Sequence, residues 1–118
     1  MTLESLLNQL NNKPDSINFN DVIDVIESTY NYTPTRFTNG LNENTVINEA
    51  GMNEGSCKLF YFAQDQKLSK EQTLACFGAY YRDDVLKHPN AEDHANIRTF
   101  IQYGWKGIAF DAPALTKK

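Results

Sequence analysis

The chain has 118 residues, the length of one domain, and its 41% apolar and 22% charged residues exclude disorder throughout. Eleven basic residues against fifteen acidic ones leave a net charge of −4. That argues against nucleic acid or an anionic membrane as a partner, since both need a basic face to displace counterions.

No apolar run approaches the roughly 20 residues of a bilayer span. Glu4 and the lack of a basic stretch near the N-terminus speak against a secretory leader. Two cysteines do not read as a disulfide scaffold. The expected product is a soluble, cytoplasmic single domain over residues 1–118.

Thr2 is placed to cap a helix whose Leu3, Leu6, Leu7 and Leu10 form one apolar stripe, ended by Asn11–Pro14. Asn20 is the next expected cap, with Val22, Ile23, Ile26 and Tyr30 on one face and Phe19 stapling the helix start. Pro34 then excludes helix. Thr35–Thr38 and Thr45–Ile47 read as a hairpin, and Asn48–Gly55 is too polar and glycine-rich for regular structure. From Ser56 to Gln64 the chain is apolar on nearly every side and predicts the central helix.

Ser69 with Gln72 forms a capping box that predicts a long helix to about Leu86. Pro89 and Asn90 break the chain, and Asp93–Tyr103 predicts a further helix ended by Gly104. Trp105, Ile108 and Phe110 alternate as a strand that joins the hairpin, and Thr116–Lys118 reads as a frayed tail. The expected fold class is α+β, mostly helical, with about four main helices and a small antiparallel sheet from Pro34–Asn48 and Trp105–Asp111. Thirteen asparagines are the compositional oddity. Most, such as Asn20, Asn39, Asn42, Asn44 and Asn90, read as cap and turn residues that satisfy local backbone groups.

Several stretches together resemble the HopJ type III effector family. They are Asn39-Gly40, Asn48-Glu49-Ala50-Gly51, Asn53-Glu54-Gly55-Ser56-Cys57-Lys58 and Gln72-Thr73-Leu74-Ala75-Cys76-Phe77-Gly78. Tyr80-Tyr81-Arg82, His88-Pro89, Asp93-His94, Asn96-Ile97-Arg98 and Gly104-Trp105-Lys106-Gly107-Ile108 continue the likeness in order. It runs with few gaps from Pro34 to Leu115, and residues 1–33 match more loosely as two helices. The resemblance implies relatives injected into plant cells by bacterial pathogens, and also small proteins of bacteria that infect nothing and of algae. It implies no catalytic roles that carry over residue by residue, and a secreted role would follow from the family name alone.

The junction Gly51–Lys58 is the most informative stretch. With a helix starting near Ser56, Cys57 lies in the first turn, where free N–H groups and the helix dipole favour a thiolate, and Lys58 adds to this. Cys57 is therefore a candidate nucleophile, or the junction an anion pocket. The plainer alternative is a small buried hydrophobe, with Glu54 repelling anions. His94 is the available base, and Asn96 would complete a Cys57–His94–Asn96 arrangement. On a helix, however, His94 and Asn96 point about 200° apart. Cys57 and Cys76 read either as a redox pair or as two packed thiols.

Asp83, Asp84, His88, Asp93 and His94 cluster around the break before the last helix. His88, Asp93 and His94 are weak metal candidates only, since no paired-ligand spacing is present, and neither metal nor cofactor is expected. Tyr80, Tyr81, Arg82, Arg98 and Trp105 read as interhelical pairing, with Arg82 facing Asp93 or Glu92, or as an anion- or nucleotide-binding set.

The leading expectation is a binding module for a small polar ligand or a partner protein, using Asn48, Asn53, Ser56, Lys58, Tyr80, Arg82 and Arg98. The alternatives are a thiol enzyme centred on Cys57 with His94, or an effector translocated into a host cell.

Overall fold

A computed structural model describes all 118 residues, Met1–Lys118. Helix α1 (Leu3–Asn12) starts at Thr2, whose hydroxyl accepts from the Ser5 N–H at 3.1 Å while the Ser5 hydroxyl accepts from the Thr2 N–H at 2.8 Å. Leu6 and Leu10 are its buried face. Helix α2 (Phe19–Thr29) is capped by Asn18 rather than the expected Asn20: the Asn20 N–H donates to Asn18 Oδ1 at 2.9 Å. Phe19 consequently lies inside the helix. Its ring packs on Phe77 and Tyr80, at 6.2 and 5.2 Å between centroids, instead of stapling its own helix start.

Two small antiparallel sheets follow. Strand β1 (Tyr30–Tyr32) pairs with β5 (Leu115–Lys117), Asn31 opposite Thr116. The expectation of a frayed tail is thereby corrected. Buried Ala114 and Leu115 anchor it, and the Lys118 N–H still donates to Thr29 O at 3.1 Å. The hairpin of β2 (Phe37–Asn39) and β3 (Val46–Asn48) matches the expectation, and β4 (Ala109–Phe110) joins β2 on its other edge. That third strand is shorter than the alternation of Trp105, Ile108 and Phe110 predicts, because Gly104–Gly107 form a 3₁₀ turn. Here a Cβ on Gly107 would lie 2.6 Å from the Gly40 nitrogen, so only glycine allows the two backbones to meet.

Helix α3 (Glu54–Asp65) is central. Its Phe60 is fully buried among Phe37, Phe77, Phe100 and Trp105, with ring centroids 5.0–6.5 Å away. Such tilted and edge-on aromatic contacts add to the area they bury.

The single helix expected from Ser69 to Leu86 is two pieces, α4 (Lys70–Cys76) and a π-helical turn (Tyr80–Val85), although its capping box is present. Gly78 breaks it at φ +60°, and a Cβ there would lie 2.9 Å from the Phe19 nitrogen. The chain turns at Gly78 so that the start of α2 can abut it. Helix α5 (Ala95–Tyr103) begins two residues later than predicted. Five α-helices and the π-turn thus replace the expected four main helices, within the same α+β class. One cluster of 23 buried side chains forms the core. No helix is long and apolar enough to cross a membrane.

Candidate functional site

Helices α3 and α5 start in the same unusual way. Asn53 precedes α3 at φ +51° and His94 precedes α5 at φ +52°, both left-handed, and neither side chain caps its own helix. Asparagine and histidine tolerate this conformation better than most non-glycine residues. Each side chain is engaged elsewhere. The Asn53 amide donates to Asn48 Oδ1 at 2.7 Å, and the His94 imidazole lies 2.9 Å from Asp84 Oδ2.

The two helix starts border one cleft of about 290 Å³. Asn53, Ser56, His94 and Asn96 are its polar lining, and Phe19, Val46, Phe77, Tyr80 and Ile97 its apolar walls. Tyr80 also leans on the His94 ring, 5.2 Å between centroids. First turns of helices carry N–H groups without intrahelical acceptors, so this lining favours hydrogen-bond acceptors and negative charge.

Beneath the cleft lies a buried asparagine network. Asn48 Nδ2 donates to Asn96 Oδ1 at 3.1 Å, and Asn96 Nδ2 returns a bond to Asn48 Oδ1 at 2.9 Å. Asn39 Nδ2 donates to the Asn96 carbonyl at 2.8 Å and to its Oδ1 at 3.2 Å. Asn39 and Asn48 are completely buried and Asn96 is 7% exposed. The carboxamide carries both donors and acceptor, so one residue type can continue the chain of bonds from strands β2 and β3 to helix α5. Within this network Asn39 Oδ1 has no partner.

Residues 3–115 match the family described as HopJ type III effector protein. The chain belongs to the HopJ type III effector protein family. The match takes in the two N-terminal helices as well as the part from Pro34 onward. The structure is also similar to the crystal structure of an unknown-function protein, VPA0580, with a TM-score of 0.94 and 48% identity, covering 100% of this chain and 95% of that one. No curated protein matches the sequence.

The residues singled out from the sequence separate clearly in this HopJ chain. Asn53, Ser56, Tyr80 and His94 line the cleft, and Asn48 lies in the network below it. Lys58 does not: it sits over the Tyr32 ring at 4.7 Å and 3.9 Å from Glu27, on the α2–β1 side. Arg82 does not either, nor does it meet Asp93 or Glu92. Its Nη2 donates to Ile17 O at 2.9 Å, holding the π-turn to the segment before α2.

Arg98 clamps the loop ahead of α5. It donates to Asp93 O at 2.6 Å, His88 O at 2.8 Å and Asp93 Oδ1 at 2.7 Å. Its hydrogen bond is the main reason that the Asp93 carboxyl is held below its usual range.

Of the two readings of Cys57, the low-pKa thiol fails and the small buried hydrophobe fits its burial. Cys57 is 1% exposed with Sγ 3.6 Å from Thr35 O, and burial pushes its pKa up. Loss of solvent outweighs the first-turn position and Lys58. Cys76 is fully buried and burial pushes it to about 12. Both thiols are free. No hydrogen bond joins Cys57, His94 and Asn96, because each is committed elsewhere. Of the residues around the chain break, Asp84, Asp93 and His94 converge, with ligand atoms all within 4.8 Å of one another. His88 and Asp83 stay out: the His88 carbonyl accepts from Arg98, and Asp83 pairs with Lys87 at 3.2 Å.

Asn39 and Asn96 were the functional-region residues that sequence reasoning missed in this role. The available signal was an asparagine at an inward strand position, two residues from buried Phe37, where a turn residue has no reason to be.

Proposed function

We propose that this HopJ protein is a small binding module whose cleft between α3, the π-turn and α5 takes a compact ligand. That ligand has a polar, acceptor-rich head and an apolar or aromatic body. The observation that carries the reading is the meeting of two helix starts, both without side-chain caps, over one aromatic-walled cleft. Convergent polar groups in an apolar concavity are the ordinary make-up of a ligand site. Buried thiols with raised pKa values speak against the thiol-enzyme alternative.

The test is a fragment screen read through backbone amide shifts of the full chain. Hits are expected to shift Asn53, Ser56 and His94–Ile97 together. Tyr80→Ala and Ser56→Ala are expected to weaken them, and Lys58→Ala to leave them unchanged. Hits scattered away from these amides, or indifferent to both cleft substitutions, would dismiss the proposal.

Family membership supports a second reading, an effector translocated into a host cell, in which the cleft would receive a polar loop of a host protein. Secretion dependent on Thr2–Asn20 is the measurement. That segment contributes buried Leu6, Leu10 and Ile17. A secreted fusion carrying residues 1–20 ahead of a reporter therefore separates a signal from a mere folding defect, and its retention inside the bacterium would remove this reading.

A further inference from the structure

We propose that Asp84, Asp93 and His94 form a binding site for one divalent transition-metal ion of the zinc class, at the rim of the cleft. Both carboxylates address the same imidazole atom: Asp84 Oδ2 lies 2.9 Å from His94 Nε2, and Asp93 Oδ2 lies 3.8 Å from it. A ring nitrogen holds one proton and donates it to one acceptor. The second carboxylate is then surplus to a simple His–Asp pair, whereas a cation in place of the proton would use all three donors.

The ligands arrive pre-oriented. Arg98 Nη2 holds Asp93 Oδ1 at 2.7 Å, leaving Oδ2 turned toward His94, while Arg98 Nε and Nη1 pin the loop at Asp93 O and His88 O. The left-handed backbone at His94 sets the imidazole against Asp84 rather than over its own helix. Outer partners that fix ligand orientation are a regular part of metal sites.

Charge points the same way. Of the two carboxylates only Asp93 meets a guanidinium, that of Arg98, and Lys87, the nearest lysine in sequence, pairs with Asp83. One nitrogen and two oxygen donors suit zinc, cobalt, nickel, manganese or iron rather than magnesium or calcium, which favour oxygen throughout. All three side chains are partly exposed, at 27%, 48% and 57% for His94, Asp84 and Asp93, so water completes the coordination shell. The site shares His94 with the cleft lining, but Asp84 and Asp93 lie outside that lining and its chemistry is ligation of a cation. Its failure would leave the cleft reading standing.

The experiment is calorimetric titration of the tag-free full chain with zinc chloride, and with magnesium chloride for comparison. One saturable zinc site per chain is expected, with no matching magnesium response. His94→Asn keeps a residue that tolerates the left-handed backbone, and Asp93→Asn keeps the side-chain shape. Each is expected to weaken zinc at least about tenfold, the lower bound of what loss of even an outer partner costs, with the circular dichroism spectrum unchanged. His88→Ala, removing the other histidine, is expected to bind zinc as the wild type does. Cobalt substitution adds a spectroscopic readout, an absorption band that disappears in His94→Asn. Absence of saturable zinc binding, binding unaffected by His94→Asn and Asp93→Asn, or binding lost in His88→Ala would overturn the proposal.

Discussion

Four helices of this protein begin in two different ways. Helices α1 and α4 open with reciprocal capping boxes, Thr2 with Ser5 and Ser69 with Gln72, in which a first-turn donor and the cap's own N–H are satisfied locally. Helices α3 and α5 open at left-handed Asn53 and His94, whose side chains reach away to Asn48 and Asp84. The first pair sits where nothing but helix stability is at stake. The second pair borders the cleft, where local self-sufficiency has been exchanged for a shaped, donor-bearing surface. The contrast separates scaffold from site more sharply than any single residue does.

The largest expected effect concerns two thiols at opposite helix ends, Cys57 in the first turn of α3 and Cys76 in the last of α4. In the unfolded chain a thiol ionises near its ordinary 9.0, whereas folded Cys76 holds its proton to about 12. Above pH 9 the unfolded state therefore binds fewer protons, so stability is complete below that pH and falls as pH rises through the window. The two pH units from 9 to 11 correspond to about 3 kcal/mol for this group. The Tyr30 phenol, raised by burial from 10.0 to about 12, acts in the same direction. Urea midpoints measured from pH 8 to 11 are expected to decline, less steeply in Cys76→Ala. Iodoacetamide at pH 6 is expected to label neither cysteine without denaturant. Selective labelling of Cys57 would show that the bare start of α3 governs its thiol after all.

Next in size is the network under the cleft. Asn96→Ala removes both bonds that the buried Asn48 amide exchanges with the Asn96 side chain, while Asn39 keeps its bond to the Asn96 carbonyl, and a loss of about 1–3 kcal/mol is expected from urea unfolding. Exposed Asn90→Ala is expected to stay within about 0.5 kcal/mol. Equal effects would mean that the asparagines are interchangeable turn residues.

The helix starts themselves give the smaller effects. Ser69→Ala is expected to cost about 1 kcal/mol through its lost cap. Asn53→Gly is expected to be close to neutral, because relief of about 1 kcal/mol of left-handed strain offsets a hydrogen bond of similar worth. Thermal unfolding of the pair reads the difference directly. A large loss in Asn53→Gly would remove the distinction between the two kinds of helix start.

Local chemistry determined much of this protein from sequence alone. The capping boxes, the leucine stripe of α1, the hairpin and the glycine ending α5 depend on residues within a few positions of one another, and so did the motifs that led to the family. Tertiary structure decided the rest. Gly78 breaks a continuous helical pattern because Phe19, far away in sequence, abuts it. The tail becomes a strand because β1 supplies its partners. Between a reactive and a buried Cys57 the closed core decides, because it desolvates the thiol. Arg82 and Arg98 hold loops because carbonyls of Ile17 and His88 come within reach. Burial, and which distant group faces a given side chain, are properties of the closed fold, and periodicity along the chain carries neither.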